Sequence, residues 1–144
     1  MLIGEYTHRL DTKRRVSLPA KMRRNLGERV VITRGLDKCL FLYTSEEWDR
    51  IASKLSKLPM GQSRTRQFVR MMLAGAEEVE VDSLGRVLLP EHLKSYASLE
   101  EEVVITGVFN RVELWSRTEW ENYRSTIEKR ADELAEELGA EGLF

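Results

Sequence analysis

The sequence predicts an α+β fold of two pseudo-symmetric β-β-α-β-β units with peripheral helices, and three observations predict it. A stretch of the first half recurs in the second, strand-like patterns flank a short turn in each copy, and the same helix-start signal closes each copy. The recurrence is Asp11-Thr-Lys-Arg-Arg15-Val-Ser-Leu-Pro19 against Asp82-Ser-Leu-Gly-Arg86-Val-Leu-Leu-Pro90, an offset of 71. Val31-Ile-Thr33 matches Val104-Ile-Thr106, Leu42-Tyr43 matches Leu114-Trp115 and Glu47-Trp48 matches Glu119-Trp120, at offsets of 73, 72 and 72. Matches in one order at nearly one spacing point to a duplicated structural unit. The predicted organisation is a first unit over residues 5–47, a helical connection over 48–75, a second unit over 76–119 and a C-terminal helix over 120–144.

Each element follows from period and punctuation. Glu78-Val-Glu-Val-Asp82 alternates apolar and acidic residues, and Arg86-Val-Leu-Leu follows a Ser-Leu-Gly turn, which reads as a hairpin with a counterpart in the first unit. Pro19 and Pro90 fix φ and lack an N–H, suiting the start of short helices such as Pro19 to Leu26, closed by Gly27. A second strand pair follows in each unit, Val30–Thr33 with Cys39–Tyr43 and Val103–Thr106 with Val112–Trp115, rich in β-branched and aromatic residues. The capping boxes Thr44-x-x-Glu47 and Ser116-x-x-Glu119 then announce helices. In the first, Trp48, Ile51, Leu55 and Leu58 form one stripe before Pro59-Met-Gly61, and a further helix is expected from about Ser63 to Ala74. The last helix places Trp120, Tyr123, Ile127, Ala131, Leu134 and Leu138 on one stripe before Gly139, facing either its own body or another chain.

The chain has 144 residues, 42% hydrophobic and 33% charged, ordinary proportions for one globular domain or two small ones. Its longest uncharged run, Val103 to Asn110, spans eight residues, against the ~20 a membrane-spanning helix needs. The N-terminus lacks a basic segment followed by an apolar stretch, which predicts a cytoplasmic protein. With one cysteine, Cys39, and only His8 and His92 beside it, no internal disulfide or zinc-ligand spacing can be assembled, and no cofactor is expected. Neither histidine neighbours a nucleophile motif and no glycine-rich phosphate loop is present, so an enzyme acting on a small-molecule substrate is not expected. Cys39 lies in an apolar strand and reads as core; Trp48, Trp115 and Trp120 read as core anchors rather than base-stacking platforms.

The near-neutral total conceals two opposed halves. Residues 1–76 hold 16 basic and 7 acidic side chains, net +9, and residues 77–144 hold 7 and 17, net −10. Arg9 to Arg24 alone contains seven bases (Arg9, Lys13, Arg14, Arg15, Lys21, Arg23 and Arg24) against Asp11, a net of +6. Such a run is either a solvated face or the footprint of a polyanion. Its repetition favours the second reading. Asp82 and Arg86 keep the five-residue span of Asp11 and Arg15, as though an aspartate fixes each turn and an arginine works beyond it. The alternative is that each arginine only pairs with its own aspartate. Arg15 is the expected reader of base edges, with Lys13, Arg14, Arg23 and Arg24 on phosphates; Arg86 contributes less, because residues 77–94 carry net −3. Opposed halves also suit head-to-tail assembly into rings.

The strings LDTKRRVSLPAKMR, VDSLGRVLLP with YASL, and VVITGVFNRVELW followed by TEW resemble the MraZ family of bacterial transcriptional regulators, built from two AbrB-like units in tandem. The resemblance covers almost the whole chain. It implies a swapped-hairpin, double-split β-barrel and a ring-shaped homo-oligomer. It also implies binding through the Asp-x-x-x-Arg loops to short direct repeats in double-stranded promoter DNA. The implied role is repression, at the nucleoid, of the division and cell-wall gene cluster that begins with the protein's own gene, with no membrane partner. Asp11, Lys13 and Arg15 fall on the first family loop; Asp82, Gly85 and Arg86 fall on the second. The family usually has glycine before the first-loop arginine, where this chain has Arg14; glycine there would serve a positive φ. The rival reading is an AbrB-like antitoxin or a ring-forming interaction scaffold, although two units and an ordered tail fit an antitoxin poorly.

Overall fold

A computed structural model describes residues 1–143. Eight strands and six helices follow in the order β1 (Leu2–Arg9), β2 (Arg15–Ser17), α1 (Ala20–Leu26), β3 (Arg29–Arg34), β4 (Leu40–Thr44), α2 (Ser45–Ser56), α3 (Ser63–Val69), β5 (Glu77–Glu80), β6 (Arg86–Leu88), α4 (Glu91–Tyr96), β7 (Glu102–Phe109), β8 (Val112–Ser116), α5 (Arg117–Lys129) and α6 (Ala131–Ala140). No helix among the described residues is long and apolar enough to cross a membrane.

The two units exchange strands. Six strands form one antiparallel sheet in the order β1-β7-β8-β4-β3-β5, and β2 pairs with β6 in a separate two-stranded ribbon. Thus β1 of the first unit lies on β7 of the second, and β5 of the second lies on β3 of the first. The hairpins expected around both turns are therefore corrected: β5 and β6 do not pair, and in place of a ladder between β1 and β2 there are the isolated bridge Leu10–Val16 and the contact of His8 Nδ1 with Ser17 O. Alternation identifies the buried face of a strand but not its neighbour. A three-residue strand also has too little ladder to hold a hairpin alone, whereas the ribbon buries Val16 and Val87 together. The sheet is open: β1 and β5 are its margins, so the strands do not close into the expected single barrel. The turns at residues 11–14 and 82–85 cut the ladder that would close it.

Two apolar layers hold this arrangement. Inward-facing sheet residues such as Val30, Ile32, Leu40, Leu42, Ile105 and Leu114 pack against Val16 and Val87 of the ribbon and Met22 and Leu93 of α1 and α4. On the outer face, Phe41, Tyr43, Val104 and Trp115 pack with Leu55 and Met72, with Trp48 and Trp120 leaning on them. Of the three tryptophans Trp115 is buried in this layer, and Trp48 and Trp120 are half-buried against it. Cys39 is buried there too; its Sγ donates to Leu36 O at 3.1 Å, and burial pushes the thiol pKa up.

The hydroxyl half of each expected capping box forms, with Thr44 accepting from Glu47 N and Ser116 from Glu119 N, while the Glu47 carboxylate accepts from Arg50 instead of closing its box. The helix expected to run from Ser63 to Ala74 continues beyond α3 as a π-helical turn, Arg70–Ala74. This wider turn frees two carbonyls: Met72 O accepts from Thr33 Oγ1 and Met71 O from Arg34. The single C-terminal helix expected over 120–144 is corrected to two. Helix α5 starts at Arg117, α6 runs past Gly139 to Ala140, and they are separated at Arg130, whose φ and ψ are −107° and 10°. No proline or glycine marks this break, so the apolar period reads through it. Arg130 N bonds Ile127 O, and its guanidinium reaches Glu133, which stabilises the bend. No residue of α6 is buried.

Candidate nucleic-acid interface

The two loops are built alike. The Asp11 carboxylate accepts from the backbone N–H of Lys13 and of Arg15 at 2.9 and 2.8 Å, and from Arg15 Nε at 2.8 Å. Asp82 accepts from Leu84 N, Arg86 N and Arg86 Nε at 2.9, 2.9 and 2.8 Å. An aspartate side chain bonding the backbone two residues on is the chemistry of a tight turn. The Arg15 backbone N–H, above all, holds the Asp11 carboxyl below its ordinary pKa, and the Arg86 backbone N–H does the same for Asp82; in each case some desolvation opposes it. Each aspartate thus binds two backbone N–H groups of its own turn.

Each arginine does pair with its own aspartate, but only through Nε. The terminal nitrogens of Arg15 and Arg86 have no hydrogen-bond partner among the described residues. The pairing thus orients each guanidinium edge-on and leaves its outer edge available. In the ribbon, Arg15 stands opposite Leu88 and Ser17 opposite Arg86, with Val16 and Val87 turned into the core. Alternation places Arg15, Ser17, Arg86 and Leu88 on the same outer face. The two arginines lie diagonally across it, about 7–8 Å apart at Cα by strand geometry. The sequence places Arg15 on one hairpin tip; the structure instead brings it onto one face with Arg86.

The remaining bases divide. Lys13 is exposed at the first tip, and Arg24 is exposed in the last turn of α1 without an ion pair among the described residues. Arg14 turns back: its Nε donates to Leu89 O at 3.0 Å and its Nη1 lies 3.4 Å from Glu91. Arg14 takes the positive φ, 61°, that Gly85 takes at 77°, so the first tip turns like the second despite its missing glycine. Arg23 donates Nε to Leu18 O at 2.9 Å and lies over Gly85; a Cβ built there would come within 2.2 Å of Arg23 Cζ. A base of the first unit therefore covers the acidic second loop. Leu18 and Leu89, one repeat apart, each have their carbonyl bound by an arginine, from different places in the chain. Their amides are equivalent too: Leu18 N donates to Gly85 O and Leu89 N to Arg14 O.

Sequence reasoning passed over Leu84 and Leu88, exposed by 62% and 49% on this face. Position-by-position comparison of the copies would have found them, because their counterparts are Lys13 and Ser17.

Comparison with known proteins adds an independent line. The family described as "MraZ protein, putative antitoxin-like" matches the chain twice, over residues 1–71 and 72–139. The protein named transcriptional regulator MraZ of Alkaliphilus oremlandii is 49% identical over 143 residues, covering 99% of this chain and 100% of that protein. Its namesake in Caldanaerobacter subterraneus subsp. tengcongensis is 48% identical over 138 residues, 96% of each chain. With two tandem matches and relatives aligned nearly end to end, the chain belongs to the MraZ family.

Proposed function

We propose that the chain is a sequence-specific DNA-binding transcriptional regulator that recognises short direct repeats in promoter DNA and represses its own operon, the division and cell-wall cluster. The observation that carries this reading is the pair Arg15 and Arg86 on one outward ribbon face, each fixed by an aspartate and each with its terminal nitrogens free. A two-stranded ribbon fits the major groove, where a guanidinium can bond guanine O6 and N7 for about 1–3 kcal/mol of discrimination. In this reading the exposed Lys13 and Arg24 meet phosphates, while Arg14 serves the turn. The reciprocal exchange of strands supports a swapped-hairpin architecture for units at 5–47 and 76–119, joined by the helical connection 48–75. The protein acts in the cytoplasm, at the nucleoid.

Self-association completes the reading. Helix α6 shows an acidic surface (Asp132, Glu133, Glu136, Glu137) beside Leu134 and Leu138, none of them buried against its own body. The α2–α3 region offers the complement, Lys57, Arg64 and Arg66 with exposed Leu58, Met60 and Phe68. A head-to-tail contact between them leads to a ring, and linked subunits raise avidity for repeated sites by roughly 10²–10⁴. The decisive experiment is a titration of the DNA upstream of the protein's own gene against a scrambled duplex at two salt concentrations. Tighter binding to the upstream DNA, weakened by salt on both duplexes, is expected; equal affinity for the two duplexes overturns the reading.

A further inference from the structure

The two halves of the ribbon face repeat their arginines but not the residues around them. Leu84 occupies the tip position that Lys13 occupies in the first loop, and Leu88 the strand position of Ser17. Single exposed apolar residues need no explanation, but these two flank Arg86, one at the tip before it and one on the ribbon after it. Both replace polar counterparts, and each adjoins an arginine: Leu84 lies two residues before Arg86, and Leu88 is paired directly opposite Arg15. Neither sits on a loose segment. Leu84 N donates to Asp82 Oδ1 at 2.9 Å, the bond that Lys13 N makes to Asp11, so the leucine leaves the tip in a fixed direction.

We propose that Leu84 and Leu88 read the C5-methyl groups of thymines neighbouring the bases contacted by Arg86 and Arg15. This rests on the DNA-binding reading above and assigns the second unit a different form of recognition. The methyl of thymine is the one apolar group that base pairs present in the major groove. A leucine beside a guanidinium can cover it while the arginine bonds an adjacent guanine. The charge balance fits: the second tip carries Leu84 and Gly85 where the first carries Lys13 and Arg14, so it has no base of its own to offer a phosphate. Arg23, held over Gly85 by Leu18 O, brings a positive charge to that tip. The first unit then supplies charge and hydrogen bonds, the second apolar contact.

The test uses the full-length protein and the duplex upstream of its own gene, with each thymine replaced in turn by deoxyuridine, which removes only the methyl. For the unaltered protein, one or more replacements are expected to weaken binding about three- to fivefold each, the value of one buried methyl. Leu84→Ala or Leu88→Ser should erase the penalty at its own thymine, leaving thermal unfolding and solution mass unchanged. If the protein prefers upstream over scrambled DNA yet ignores every methyl, or if the penalties survive in both variants, the leucine assignment is overturned and DNA binding stands. A change of solution mass in these variants without methyl dependence makes the leucines subunit contacts and also overturns it. No preference for upstream DNA removes both readings.

Discussion

Arg14 and Gly85 hold the same left-handed backbone conformation at equivalent turns, with φ of 61° and 77°, yet only one of them is a residue suited to it. The arginine meets that steric cost while its Nε bonds Leu89 O across the unit boundary. In the other half Arg23 bonds the equivalent carbonyl, Leu18 O, over the bare glycine.

A consequence is that Arg14→Ala should be less stable than Arg14→Gly by about 1 kcal/mol, since both lose the bond to Leu89 O but only glycine relieves the backbone. Thermal unfolding of the two variants checks the order. Equal midpoints would mean the turn relaxes around alanine.

Gly85→Ala should destabilise by about 1–3 kcal/mol, because alanine meets both the strained φ and the Arg23 guanidinium. Urea unfolding of Gly85→Ala and Gly85→Ala with Arg23→Ala separates the two causes; a contribution from the clash makes the penalty smaller in the second background.

Arg15→Ala should abolish sequence-specific binding, whereas Arg86→Ala weakens it less. The two guanidinia are held alike, but Lys13 stands at the tip beside Arg15 where Leu84 stands beside Arg86. A gel-shift titration at fixed salt measures both, and equal losses would contradict the ranking.

Asp11 and Asp82 are acidified in the folded loops, chiefly by the backbone N–H groups of Arg15 and Arg86. Protons therefore bind more tightly once the loops open. Their contribution is complete above the ordinary carboxylate value of about 4 and fades as pH falls through the lowered values. Nuclear magnetic resonance of the Arg15 and Arg86 Nε–H groups should show both held at pH 5. Loss between pH 5 and 6 would contradict this.

Leu134→Asp with Leu138→Asp should change thermal stability little, because neither leucine is buried in the isolated chain. The same substitutions should lower the assembly mass measured by light scattering. An unaltered mass would exclude α6 from the subunit contact.

What the sequence makes legible is local. Asp11 and Asp82 announce their turns, Thr44 and Ser116 their helices, and the alternation around Val16 and Val87 their buried faces. Strand partners are another matter: nothing in Glu77–Glu80 states that its neighbour is Arg29–Arg34 rather than Arg86–Leu88. The break at Arg130 carries no breaker residue, the position of Arg14 depends on the distant carbonyl of Leu89, and Arg23, bonded to nearby Leu18 O, meets Gly85 of the other unit only in the fold. At the candidate interface, residue types and turn chemistry are readable from sequence. That Arg15 and Arg86 share one face is not, because it requires β2 to find β6.

The exchange of strands also governs how the chain folds during synthesis. When the first seventy or so residues have left the ribosome, β1 still lacks β7 and β3 lacks β5, and the carbonyl of Leu89 that Arg14 binds has yet to be translated. Neither repeat can complete itself first, so the nascent N-terminal half waits with bare edges until the last strands emerge. Such distant pairing makes for slow folding, and a gene cut to either repeat would yield a chain obliged to find a second copy before it could close.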